Sequence, residues 1–279
     1  MSKQGLTFWK LVKISRPIYW PFFVLIFYGG VVFAKGSLDL YQIILMFFMT
    51  FPMGLAGFGL NDIYDYRSDI VNPRKGGIQG HRLTKPEIKK LKKISYLFGI
   101  LFYILVLLSG KVQFILTMLL LGLVSYLYIV PPFRLKGKAP LDLISAAAVI
   151  VLLPFAAGFS YHQNLVNLPW KIYVITLCVC AGQAITTVMD MDYDKRVGDK
   201  TFAVKYGARN TMIFAFLVFL SVFLFVNFSP YLHYSVGLVA LWTFLMIFKP
   251  EPKFIRKSFI FIVILCLIVG SYYLFFYLL

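Results

Sequence analysis

Apolar residues in this chain come in unbroken runs and do not alternate with polar ones. Nine such runs cover roughly residues 17 to 34, 40 to 62, 94 to 110, 113 to 130, 141 to 160, 171 to 190, 210 to 228, 230 to 248 and 258 to 278. About 20 residues of α-helix cross the hydrocarbon core of a bilayer, so each run predicts a spanning helix. A membrane β-barrel would need strands of alternating polarity with frequent turns, a pattern this sequence lacks. The predicted fold class is therefore all-α: a polytopic membrane protein of nine transmembrane helices in one intramembrane domain over residues 1–279. The first run opens on RPIYWPFF and ends without a small-residue cleavage site, so it is expected to remain as a helix and not to leave as a signal.

Composition agrees with that reading, since 60% of residues are hydrophobic and 14% charged, against about a quarter charged in soluble domains. A net charge of +17 would suit a polyanionic partner, but 25 of the 28 Lys and Arg fall at the N-terminus and in the connections after runs 2, 4, 6 and 8. Such asymmetry over short loops marks the cytoplasmic side. It predicts a cytoplasmic N-terminus and an outside C-terminus, in the plasma membrane if the cell is prokaryotic. It also makes the bilayer with its anionic headgroups, and no nucleic acid, the expected partner. Cys178, Cys180 and Cys266 lie inside predicted spans and suggest neither a disulfide framework nor a metal-ligand spacing. His81, His162 and His233 stand singly and are expected at the surface.

The eleven acidic residues are distributed unevenly, with seven of them in two places. Asp62, Asp65 and Asp69 lie in NDIYDYRSD, which ends the second run and opens a long connection over 63–93. Asp190, Asp192, Asp194 and Asp199 lie in MDMDYDKRVGDKT, which ends the sixth run and opens a connection over 191–209. Two acidic stretches four spans apart, on one membrane side, suggest two four-helix repeats about the membrane normal with a ninth helix appended. If the second helix continues through Asp69, a turn of about 100° per residue puts Asn61, Asp62, Asp65 and Asp69 on one face. Asp190 and Asp194 are one turn apart, whereas Asp192 points away from them. KPEIKKLKK in the first connection has a helical pattern suited to the interface.

Carboxylates gathered at a membrane edge repel one another and are costly to insert, by about 2.5–3.5 kcal/mol each at a helix centre. A cation would compensate. Oxygen donors without His or Cys match a hard ion, and Mg²⁺ takes one or two carboxylates and completes its shell with water and substrate phosphates. Arg74, Lys75, Lys195 and Arg196 in the same connections suit phosphate oxygens. A lone acidic cluster is usually a solvated surface, but two at equivalent positions favour a magnesium diphosphate site. An ion-coupled transporter is the alternative of another class; its carboxylates belong near the bilayer midplane, and these sit at one edge.

With these residues the sequence resembles the UbiA superfamily of intramembrane prenyltransferases, whose signatures are NDxxDxxxD and DxxxD. They stand here as NDIYDYRSD over 61–69 and DMDYD over 190–194, joined by RP at 16–17, NPRKG at 72–76, YIVPPFRLKG at 128–137 and DKRVGDKT at 194–201. The resemblance covers essentially the whole chain. It implies a nine-helix bundle whose cavity is closed by the acidic loops, and an enzyme that ionises an allylic prenyl diphosphate with Mg²⁺ and transfers the prenyl group to a lipophilic acceptor. By the same resemblance Asn61, Asp65 and Asp69, with Asp62 beside them, hold Mg²⁺, and Asp190 and Asp194 do so from the second motif. Arg74 and Lys75 correspond to the basic residues at the diphosphate, with Lys136, Arg134 and Arg16 as further candidates. Tyr128 and Asp192 are assigned to the substrate pocket.

The acceptor is read from departures. Members that prenylate 4-hydroxybenzoate carry YxxxK in the fourth loop, whereas Tyr128 is followed at that distance by Pro132. NDIYDY with NPRKGG, PPFRLKG and PLDLISAA looks most like the branch that elongates carotenoids such as lycopene, which implies transfer of a C5 unit to a carotenoid-like acceptor. Chlorophyll synthase and the archaeal lipid-ether members share parts of the pattern. An aromatic quinone precursor, chlorophyllide or an archaeal-type lipid therefore remain as alternative acceptors, and hydration or cyclisation as alternative fates of the cation.

Overall fold

The computed structural model describes residues 5–71 and 81–277. Within them the chain is all-helical, with a lone backbone bridge between Lys138 and Lys200 in place of any strand. The helices in chain order are α1 (Phe8–Ser15), α2 (Trp20–Phe33), α3 (Leu40–Phe48), α4 (Phe51–Tyr64), α5 (Tyr66–Val71), α6 (Lys85–Leu107) and α7 (Val112–Ile129). There follow α8 (Leu141–Ala147), α9 (Leu153–Ser160), α10 (Lys171–Val197), α11 (Phe202–Tyr206), α12 (Ala208–Phe225), α13 (Pro230–Phe248) and α14 (Pro252–Tyr277).

Each of the nine apolar runs is helical over its described residues. Among the described residues five helices are long and apolar enough to cross a bilayer, namely Leu40–Tyr64, Val112–Ile129, Leu141–Ser160, Lys171–Val197 and Ala208–Phe225, and α1 joined to α2 across a 42° bend makes a sixth. In the third run charge is the reason it does not qualify. Helix α6 begins at Lys85 and spends its first turns on KPEIKKLKK, so only its second half is apolar. That basic stretch is helical, as its pattern suggests, and continuous with the third apolar run. The long connections contract accordingly: α5 extends to Val71, and α10 extends to Val197 before α11.

The chain divides into two compact units. The first contains residues up to Arg134 together with Ala148–Pro169, and the second contains Leu135–Ala147 and residues from Trp170 onward. The first break falls after the fourth run, where the repeat predicts one, but residues 148–169 join the first unit. In that unit Phe27, Val31, Phe102, Phe114 and Met118 form a core. Helices α2 and α9 meet there through glycine: a Cβ on Gly30 would overlap the Phe155 carbonyl oxygen, and one on Gly158 the Phe27 carbonyl oxygen. Such close backbone approach through small residues is how helices pack where lipid removes the hydrophobic drive. Tyr161 donates to Asp39 at 3.0 Å, and Gln42 holds His162 at 3.0 Å, so that histidine is half-buried where the sequence suggested the surface. In the second unit Ile185, Val188, Met212, Ala215, Phe219 and Ile255 form the core between α10, α12 and α14.

Helix α6 is started by a local device. The backbone N–H of Thr84 donates to Glu87 Oε2 at 2.8 Å, and the Thr84 hydroxyl donates to the same oxygen at 3.0 Å. The other oxygen, Oε1, accepts from Lys10 Nζ at 2.7 Å, which ties α1 to α6. Burial pushes the Glu87 carboxyl up, but the Lys10 ammonium and the Thr84 donors outweigh it and hold the group at about 2. The folded chain therefore binds this proton less readily than the unfolded chain. Its stabilisation is complete above about 4.5, the ordinary value, and is lost as pH falls towards 2. The effect is on the order of 3 kcal/mol. Thermal unfolding of the detergent-solubilised protein should fall in temperature between pH 5 and pH 3, and Glu87→Gln should lower the pH 5 value and flatten the dependence.

Candidate active site

The first acidic motif is carried out of the apolar region by α4. Asn61 and Asp62 lie in its last turn, and Asp65 ends it at φ −90° and ψ 2°. Hydrogen bonding nevertheless continues, because Asp65 N–H donates to the Asn61 carbonyl at 2.9 Å and Asp69 N–H to the Asp65 carbonyl at 2.9 Å. Asn61, Asp65 and Asp69 are thereby stacked one turn apart, as the spacing predicts, with a break in the helix at Asp65. All three are half-buried, and Asp62 is buried at 1% exposure.

Two arginines reach this stack from distant parts of the first unit. Arg16 Nη2 donates to Asp62 Oδ1 at 2.7 Å, and its guanidinium carbon lies 4.5 Å from the centroid of the Phe58 ring. Arg134 Nη2 donates to Asp65 Oδ1 at 3.0 Å. Both have positive φ, 53° for Arg16 and 40° for Arg134, in the left-handed region that costs a side-chain-bearing residue on the order of 1 kcal/mol or more. Arg16 ends α1 there, and the short turn Pro17–Tyr19 begins on it. The RP and PPFRLKG matches thus supply two cations to the first acidic motif. Arg74 and Lys75, the other two assigned to the diphosphate, lie outside the described residues.

The second motif belongs to the second unit. Helix α10 runs unbroken to Val197, with Lys195 and Arg196 in its last turn, where cations oppose the helix dipole, and Gly198 at φ 82° ends it. Asp190 and Asp194 are half-buried one turn apart, and Asp192 is exposed, about 200° around the helix from Asp190. Thr201 Oγ1 donates to Asp194 Oδ2 at 3.0 Å, and Asp199 N–H to the Asp194 carbonyl at 3.0 Å. The segment bearing Lys136, which is half-buried, packs on this corner: Lys200 N–H donates to the Gly137 carbonyl at 2.8 Å and Ala139 N–H to the Lys200 carbonyl at 2.9 Å. A Cβ on Gly137 would come within 2.6 Å of Asp199 Oδ1. Tyr128 is half-buried near the end of α7, in the first unit.

Three further residues lie around the second motif. Asp142 is buried at 1% exposure, and its Oδ2 accepts from Phe202 N–H at 2.7 Å, fixing the turn after α10. Thr187 accepts from Ala203 N–H at 3.3 Å, a tie between α10 and α11. Arg256 Nη2 donates to the Met189 carbonyl at 3.1 Å, adding a cation beside the second motif. Asp142 stands in the PLDLISAA match, which by itself gives it no role.

The donor set fits a hard cation. It consists of oxygens from aspartates and one asparagine, with no His or Cys among the motif residues. No three His, Cys, Asp or Glu among the described residues converge as a closed metal cage. Mg²⁺ does not need one, because it is held by one or two carboxylates with water and phosphate completing the octahedron.

Residues 22–265 match the UbiA prenyltransferase family. The C(50) beta-cyclic carotenoids biosynthesis protein LbtBC of Dietzia sp. (strain CQ4) is 29% identical over 209 residues, 75% of this chain and 48% of that protein. The chain therefore spans about half the length of the Dietzia relative. The lycopene elongase/hydratase of Corynebacterium glutamicum is 26% identical over 230 residues, covering 81% of this chain and 79% of that one. A UbiA homolog from Archaeoglobus fulgidus, in a structure bound to DMAPP and Mg²⁺, superposes with a TM-score of 0.62 at 21% identity, over 94% of this chain and 98% of that one. At that identity the likeness shows a shared fold.

Proposed function

The chain belongs to the UbiA prenyltransferase family, and from that premise we propose that it transfers a C5 prenyl group from an allylic diphosphate to a carotenoid-like acceptor within the membrane. The observation that carries the proposal is the stack of Asn61, Asp65 and Asp69 at the end of an apolar helix, with Arg134 paired to Asp65 and Arg16 to the neighbouring Asp62. The carotenoid names of the Dietzia and Corynebacterium relatives support the acceptor class.

In this reading Asn61, Asp65 and Asp69 of the first motif, with Asp62 beside them, would hold Mg²⁺, and Asp190 and Asp194 of the second motif would do so in the second unit. Mg²⁺ held by these carboxylates would supply positive charge against the leaving diphosphate. Arg16 and Arg134 donate to the remaining diphosphate oxygens, where preorganised cations stabilise the leaving group more than they would in water, and the family resemblance assigns Lys136, Arg74 and Lys75 to the same task. Thr201 and Asp142 hold the loop after α10 in place. The apolar walls exclude water from the allylic cation, and Tyr128 belongs to the pocket edge, whereas Asp192, exposed on the other side of α10 from Asp190, takes no part in it. The acidic motifs and the N-terminus face the cytoplasm, following the basic loops.

The test uses purified protein in liposomes with radiolabelled dimethylallyl diphosphate and Mg²⁺, offered lycopene, 4-hydroxybenzoate or geranylgeranylglyceryl phosphate. Label should move to the carotenoid, with diphosphate released, and chelation with EDTA should stop it. Transfer to 4-hydroxybenzoate or to the glyceryl phosphate, with none to lycopene, would overturn the acceptor assignment. Product mass separates simple prenylation from capture of the cation by water, the outcome suggested by the hydratase half of the Corynebacterium protein's name.

A further inference from the structure

The two arginine–carboxylate pairs in the first unit differ in burial. The Asp62 side chain is 0% exposed and that of Arg16 14%, whereas Asp65 and Arg134 retain 16% and 23%. A cation that arrives with a diphosphate exchanges its waters for oxygens it can reach, and Mg²⁺ gives up water reluctantly. Asp65 meets that requirement. Asp62 faces Arg16 from within the protein, and its neighbour one turn back on α4, Phe58, offers its ring to the same guanidinium. Residues four apart on a helix stand above one another, so Phe58 and Asp62 form a cradle for one cation.

That cradle has something to oppose. Arg16 keeps φ 53°, a conformation that persists only where its surroundings over-determine it. The Asp62 ion pair, the Phe58 ring and the turn closed by Tyr19 N–H on the Arg16 carbonyl at 3.0 Å supply that determination. A guanidinium has five N–H donors in a rigid fork, and among the described residues buried Arg16 Nε has no hydrogen-bond partner. The pair thus leaves Arg16 with donor capacity for a second anion.

We infer that Asp62 is a positioning residue for Arg16 and not a metal ligand: it aims a guanidinium at the diphosphate, while Asn61, Asp65 and Asp69 take the cation. This divides the motif between two tasks and rests on the metal diphosphate reading above.

The test reads binding, not turnover, in the full-length protein in detergent. Mn²⁺ affinity is measured by electron paramagnetic resonance, and inorganic pyrophosphate affinity of the Mn²⁺-loaded protein by calorimetry. Asp62→Asn should leave Mn²⁺ affinity within about twofold and weaken pyrophosphate about tenfold, the scale of one charge-assisted hydrogen bond. Arg16→Ala should do the same, and the double variant should be no worse than Arg16→Ala alone, because coupled residues are non-additive. Asp65→Asn should weaken Mn²⁺ itself. Loss of Mn²⁺ in Asp62→Asn comparable to that in Asp65→Asn, or additive losses in the double variant, would overturn the inference. Wild-type protein binding Mn²⁺ no better than Asp65→Asn would overturn the metal reading and this inference with it. If Asp62→Asn does not fold, Arg16→Lys serves, since it retains charge but not the fork: weakened pyrophosphate at unchanged Mn²⁺ affinity supports the assignment, and weakened Mn²⁺ refutes it.

Discussion

Asp65→Asn and Asp190→Asn should each reduce diphosphate release from an allylic donor by at least about a thousandfold, the scale on which electrostatic stabilisation of a leaving group operates. Asparagine matches aspartate in size and retains one oxygen as an acceptor, so Arg134 keeps a partner at position 65. What is lost is one negative charge per motif, and with it the attraction for a divalent ion. Asp39→Asn is the control. Asp39 caps α3, accepting from Gln42 N–H at 2.7 Å and from the Tyr161 hydroxyl at 3.0 Å. Asparagine caps a helix about as well as aspartate, so this variant should keep nearly the wild-type stability and leave diphosphate release intact. Release that survives Asp65→Asn and Asp190→Asn, or that fails equally in Asp39→Asn, would remove the acidic motifs from the chemistry. Single-turnover assays with labelled dimethylallyl diphosphate measure all three on one scale.

The helices were legible because nothing else produces continuous apolar runs of such length, and the two acidic stretches because acids are so scarce. Helix boundaries were less legible. A run of apolar residues does not reveal that α6 starts nine residues earlier on lysines, or that α3 and α4 meet at a break before Phe51. The helical stack of Asn61, Asp65 and Asp69 followed from spacing alone, and the break at Asp65 did not. The positive φ of Arg16 and Arg134 runs against local preference, since glycine usually takes that region and a residue before proline is usually extended. It arises from tertiary ion pairs with Asp62 and Asp65, partners 46 and 69 residues away. Asp142 was unreadable for the same reason, as its partner, the backbone N–H of Phe202, is 60 residues distant.

The conformation of Arg134 gives a prediction in which stability and activity separate. Its guanidinium holds Asp65 while its backbone sits at φ 40°. Arg134→Ala removes the guanidinium and keeps a Cβ in the unfavourable region. Arg134→Gly removes the guanidinium too, but takes up that φ freely. The glycine variant should therefore be the more stable of the two, by about 1 kcal/mol, seen as a higher unfolding temperature in detergent. Both should lose prenyl transfer by about a hundredfold or more, because an arginine at a phosphate contributes through its fork of donors. Arg134→Lys should recover only part of that loss. If Arg134→Gly retains wild-type transfer, the arginine serves only to occupy its turn, and its pairing with Asp65 has no part in leaving-group departure. If alanine and glycine are equally stable, the positive φ carries no strain. The two measurements are independent, so the backbone and the guanidinium of one residue are tested separately.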